Sequence, residues 1–123
     1  MKINALIILS IIFEVNAQNV YYDERFDYYN VDILMRNQRL LKRYLDCFLG
    51  KGPCTPIGKI FKGILPDVVR TACSKCTPSQ KRLARRTFRS WRRYYPQDLQ
   101  ELIRNVDPEG EHYEIFQRAI KLI

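Results

Sequence analysis

Residues 47–80 read CFLGKGPCTPIGKIFKGILPDVVRTACSKCTPSQ, and this stretch decides the fold. Thr55-Pro56 and Thr77-Pro78 each put an N-capping hydroxyl before a proline at the first helical position, where the missing N–H is not needed. Between them Ile57, Ile60, Phe61, Ile64, Leu65, Val68, Val69 and Ala72 recur three and four residues apart, which predicts an amphipathic helix. Pro66 lies within that stripe and is expected to kink or divide it. Gln80 stands where a capping box needs it after Thr77. Four cysteines punctuate the same stretch with the spacing C-x6-C-x18-C-x2-C.

Outward from this stretch the chain keeps the helical period. Upstream, Asn30 is placed to cap a short helix carrying Asp32 in its first turn. Leu40, Leu41, Tyr44, Leu45 and Phe48 form a stripe that Gly50 stops. Downstream, Leu83, Ala84, Thr87, Phe88, Trp91, Tyr94 and Tyr95 fall on one side of a helix starting at Pro78. Lys81, Arg82, Arg85, Arg86, Arg89, Arg92 and Arg93 fall on the other, with no acid among them. Pro96 begins a further helix with Leu99, Leu102 and Ile103. Asp107-Pro108-Glu109-Gly110 is a turn, and a last helix carries Tyr113, Phe116, Ala119, Ile120 and Ile123. No sustained alternation and no Asn-Gly or Asp-Gly hairpin signal occurs. The expectation is an all-α, compact bundle of about six helices in one domain.

The first seventeen residues read as a secretory signal. Lys2 supplies a positive charge, Ala5 to Phe13 is an apolar run too short for a bilayer, which needs about 20 residues, and Val15-Asn16-Ala17 offers a cleavage site. Residues 18–123 are then the mature domain, expected to be secreted, extracellular and monomeric. The chain of 123 residues carries 21 Lys+Arg against 13 Asp+Glu, a formal charge of +8. With 46% hydrophobic residues it can bury a core. The single histidine, His112, reads as an exposed bystander beside Glu111 and leaves no His-rich metal site. No glycine spacing matches a phosphate loop. These absences point to a binding protein rather than an enzyme, with no cofactor or metal expected. Export favours disulfides over zinc for Cys47, Cys54, Cys73 and Cys76. Three pairings are open on spacing alone, the local one being geometrically attractive.

At this point the sequence resembles a family, the insect chemosensory proteins, also called the OS-D family. The cysteine spacing is that family's. Arg39-Leu40-Leu41 with Tyr44, Lys51-Gly52-Pro53-Cys54-Thr55-Pro56, Leu65-Pro66-Asp67, Cys73-Ser74-Lys75-Cys76 and Asp107-Pro108-Glu109-Gly110 are similar to its words at the expected separations. The resemblance implies six helices around an apolar channel and two local disulfides, Cys47–Cys54 and Cys73–Cys76. It implies a carrier of small lipophilic molecules, such as odorants, pheromones or fatty-acid-like chains. Ile33, Ile57, Leu99 and Val106 stand where the family often has other residues, which bears on ligand preference.

Family alignment and helical phase together name Phe26, Leu41, Phe61, Ile64, Val68, Ala84, Phe88, Leu99 and Phe116 as candidate lining residues. Periodicity alone does not distinguish a filled core from a lined cavity; the resemblance favours the cavity. Tyr21, Tyr22, Phe26, Tyr28 and Tyr29 suit a flap over an apolar opening as well as simple packing onto the bundle. Asp27, Asp32 and Asp67 read as caps and solvated charges. The arginine face from Arg82 to Arg93 reads as solvated surface or as weak contact with anionic membranes, and a cationic membrane-active or host-defence protein is the alternative function. Nucleic acid is not an expected partner, because the helix's aromatics point away from its arginines.

Overall fold

The computed structural model describes Tyr22 and residues 31–123. Among these residues there are six helices and no strand: α1 (Val31–Arg36), α2 (Gln38–Phe48), α3 (Pro56–Arg70), α4 (Pro78–Tyr94), α5 (Pro96–Val106) and α6 (Tyr113–Ala119). The expected leader, the Asn30 cap, and Phe26 with the other aromatics of residues 18–30 except Tyr22 lie outside the described residues.

The helix starts follow the caps read from sequence. Thr55 accepts a hydrogen bond from the Gly58 N–H to open α3. Thr77 and Gln80 form both halves of a capping box on α4. Asn37 opens α2 by accepting from the Leu40 N–H. Of the kink or division expected at Pro66, division does not occur: α3 runs through this exposed proline as one helix. The proline removes one ladder bond at the surface, while buried Leu65, Val68 and Val69 hold the helix to the core. The stripe's last member, Ala72, lies beyond the helix end.

The centre of the bundle is α2, which packs against α1, α3, α4 and α5. Leu41, Leu45, Trp91 and Phe116 are essentially inaccessible to solvent. Phe88 meets Trp91 and Phe116 edge-on at 5.3 and 5.2 Å between ring centres. The Trp91 Nε1–H donates to the Leu41 carbonyl at 3.0 Å, so the largest core side chain has its polar handle satisfied. Gly58 lets α3 approach α2 closely: a Cβ there would meet Thr55 Oγ1 at 3.1 Å and Cys47 Sγ at 3.4 Å. Tyr94 departs from its expected inward side. It is exposed at the helix end, with the Arg93 guanidinium 5.3 Å over its ring.

Both disulfides are local, Cys47–Cys54 across the α2–α3 loop and Cys73–Cys76 between α3 and α4. The Asp107 turn does more than reverse the chain. Its buried carboxylate accepts the backbone N–H groups of Glu111, His112 and Tyr113 at 3.2, 3.0 and 2.9 Å and so organises the start of α6. Burial opposes ionisation of Asp107, but the three N–H donors outweigh it and hold the carboxyl below its usual range. Lys42 bridges Asp46 and Asp98 at 2.8 Å each, joining α2 to α5.

Candidate ligand-binding pocket

Helices α3 and α4 each turn an apolar face towards a common space, and α1, α2 and the Cys73–Cys76 disulfide complete its walls. The space is a cavity of about 100 Å³. Volume alone would admit water, for which about 10–15 Å³ is enough, but a buried water needs two to four polar partners. These walls are carbon and sulfur with few polar atoms, so hydrocarbon is the occupant they favour.

Five of the sequence-predicted residues meet here: Phe61, Ile64 and Val68 from α3, and Ala84 and Phe88 from α4. Leu41, Leu99 and Phe116 do not line the cavity. They are buried in the packed core at 0, 3 and 0% exposure, opposed by other side chains rather than by empty space. Phe26 lies outside the described residues. Residues that sequence reasoning missed include Leu34 of α1, Tyr44 and Phe48 of α2, and Leu83, Thr87 and Trp91 of α4. Their inward helical phase is visible in the sequence. Which inward side chains border the void depends on how far apart the helices stand.

Tyr22 closes one side. It lines the cavity, its N–H donates to the Lys75 carbonyl at 2.9 Å, and its hydroxyl donates to Asp67 Oδ2 at 2.7 Å. Asp67, expected as a cap or solvated charge, is instead the hub of a cluster, receiving Tyr22, Arg70 and Lys75. The Tyr22 hydroxyl, followed by Lys75 and Arg70, holds the Asp67 carboxyl below its usual range against the opposing effect of burial. Burial first, then the bond to Asp67, pushes the Tyr22 hydroxyl well above its ordinary pKa, so both partners keep the charge states the bond needs at neutral pH.

A disulfide-braced, all-helical bundle around an apolar cavity is the architecture of a small-molecule binding protein. The chain belongs to the insect pheromone-binding family, A10/OS-D, whose family model matches residues 22–114. It is similar to the putative odorant-binding protein A10 of Drosophila melanogaster, 41% identical over 96 residues, which are 78% of this chain and 62% of that protein. It also resembles the allergen Tha p 1 of Thaumetopoea pityocampa, 36% identical over 102 residues, covering 83% and 81% of the two chains. Among solved structures, a chemosensory protein in complex with bromo-dodecanol superposes with a TM-score of 0.69 at 31% identity, over 79% of this chain and 97% of that one. The antennal chemosensory protein A6 from the moth Mamestra brassicae superposes at 0.63, also at 31% identity, over 81% and 93%.

Proposed function

We propose that this protein is a secreted, monomeric carrier that reversibly binds small lipophilic molecules in the α3–α4 cavity, without catalysing any reaction. The apolar cavity behind Tyr22 carries this reading, and the bromo-dodecanol complex of a structural relative supports it. Moving an alkyl chain from water to such walls gains about 0.8 kcal/mol per CH2. A chain of ten or more carbons then approaches micromolar affinity, about −8 kcal/mol, after ordering costs are met. A chain of that length exceeds a cavity of about 100 Å³, so binding on this reading requires the walls to part.

The test is displacement of a polarity-sensitive fluorescent probe by long-chain alcohols in the wild type and in Val68→Trp. The wild type is expected to bind saturably. The indole should fill the cavity and abolish binding while costing about 1–3 kcal/mol of stability. A folded Val68→Trp variant that binds normally would place the ligand elsewhere. No saturable binding in the wild type would refute the carrier reading.

A second surface supports a weak contact with anionic membranes. Helix α4 contains no acid, and Arg82, Arg89, Arg92 and Arg93 are exposed on the side away from the pocket.

A further inference from the structure

Among the described residues, one side chain of the cavity wall carries a hydroxyl without a partner. Thr87 lines the cavity from α4, its Oγ1 is shut off from solvent, and no group hydrogen-bonds to it. A threonine within a helix ordinarily turns its hydroxyl to the carbonyl three or four residues back; Thr87 does not. Three other polar side chains of the wall have partners, among them the Trp91 Nε1–H, which donates to the Leu41 carbonyl. Gln80 closes the α4 capping box, and the Tyr22 hydroxyl is bound to Asp67. A buried hydroxyl without a partner is costly in the empty protein, and that cost is recovered when an occupant supplies the missing bond.

We propose that Thr87 is the specificity-determining residue of the cavity, and that its hydroxyl takes the hydroxyl oxygen of a long-chain alcohol or the carbonyl oxygen of a long-chain aldehyde or ester. The proposal rests on the carrier reading and sharpens its ligand class. A hydroxyl both donates and accepts, so it serves an alcohol as well as a carbonyl. Among the described residues no Lys, Arg or His lines the cavity, so an ionised carboxylate inside would be a buried charge without a counter-charge from them. Thr87 stands one turn from Ala84 and from Trp91 on the same helix face. As an entering chain parts the walls there, its oxygen comes to oppose the hydroxyl while its alkyl part lies along Phe61, Ile64 and Val68.

The experiment compares 1-dodecanol, 1-chlorododecane and dodecanoate at pH 8 as displacers of a naphthylamine probe from the wild type, Thr87→Val and Thr87→Ser. The valine is nearly isosteric and lacks the oxygen. It should weaken 1-dodecanol about two- to twelvefold and leave 1-chlorododecane unchanged, while Thr87→Ser keeps the alcohol preference. The thermal midpoint of ligand-free Thr87→Val should equal or exceed that of the wild type, since an unpaired polar group has been removed. The wild type should bind dodecanoate more weakly than the alcohol. Unchanged alcohol affinity in Thr87→Val, or equal losses for alcohol and chloride, would overturn the proposal and leave the carrier reading standing. A destabilised Thr87→Val, or dodecanoate binding as tight as the alcohol, would overturn it too. A wild type that releases its probe to none of the three would refute the carrier reading itself.

Discussion

Three helices end in the same way, and only one uses the residue that suits the job. Beyond α2, α3 and α6, the chain turns through the left-handed region at Gly50, Ala72 and Lys121, with φ of +74°, +53° and +61°, and after α3 the next residue, Cys73, is left-handed too at +60°. In each case the following N–H reaches back five residues, Lys51 to Asp46, Cys73 to Val68 and Leu122 to Gln117, at 2.8–2.9 Å. This is the Schellman closure, which favours glycine because a Cβ in that conformation is strained. Ala72→Gly and Lys121→Gly should therefore each raise stability by about 0.5–1 kcal/mol, the relief of strain exceeding the added entropy of the unfolded glycine. Gly50→Ala should lower it by about 1 kcal/mol. Urea midpoints at constant slope measure all three. A loss of stability in Ala72→Gly would show that the Cys73–Cys76 ring, not the Cβ, governs that turn.

At the scale of elements, the same contrast explains what could be read in advance. The starts of α3 and α4 are legible because an N-capping threonine is followed at once by proline, and at α4 the capping-box Gln80 completes the signal within four consecutive residues. The ends of α3 and α6 carry no such mark, since alanine and lysine in left-handed positions look like any other residue. Phe61, Ile64 and Val68 on α3, faced by Ala84 and Phe88 on α4, border the cavity; helical phase fixes their direction, and the family resemblance adds the expectation of a cavity between them. The same phase assigned Leu41, Leu99 and Phe116, and nothing in a period of 3.6 says whether an inward side chain meets empty space or another side chain. The Tyr22–Asp67 clasp spans 45 positions of sequence and left no local trace. It has a pH signature. The Asp67 carboxyl titrates lower in the folded chain than in the unfolded one, so its contribution is present in full above about pH 5 and is lost as pH falls through the lowered folded value. The stability gap between the wild type and Asp67→Asn should be constant from pH 7 to 5 and shrink steadily as pH falls below about 4. A gap that does not shrink at all with acid would mean that the clasp does not depend on the carboxylate.

For the whole molecule, α4 sets two chemistries back to back. Phe88 and Trp91 face the core and the cavity, while exposed Arg82, Arg89, Arg92 and Arg93 concentrate part of the +8 charge on the outer side. The two faces should answer differently to salt. A ligand enclosed by apolar walls exchanges water for carbon and hydrogen, and neither side of that exchange carries net charge. An anionic surface meeting the arginines gains its energy across solvent, where the screening length falls from about 10 Å at 0.1 M salt to about 3 Å at 1 M. Raising salt from 0.1 to 1 M should therefore leave the affinity for 1-dodecanol within about twofold, helped if anything by the salt's effect on apolar solubility. Attachment to phosphatidylglycerol vesicles should be largely lost over the same range, and neutral phosphatidylcholine vesicles should not retain the protein at either salt concentration. The vesicles should also hold their contents, because the one exposed aromatic of α4, Tyr94, lies under the Arg93 guanidinium and offers too little apolar surface to insert. An alcohol affinity that collapses with salt would move the ligand out of the cavity and onto the arginine face. Salt-resistant vesicle binding would instead indicate insertion, with the bundle opening its apolar interior to the membrane.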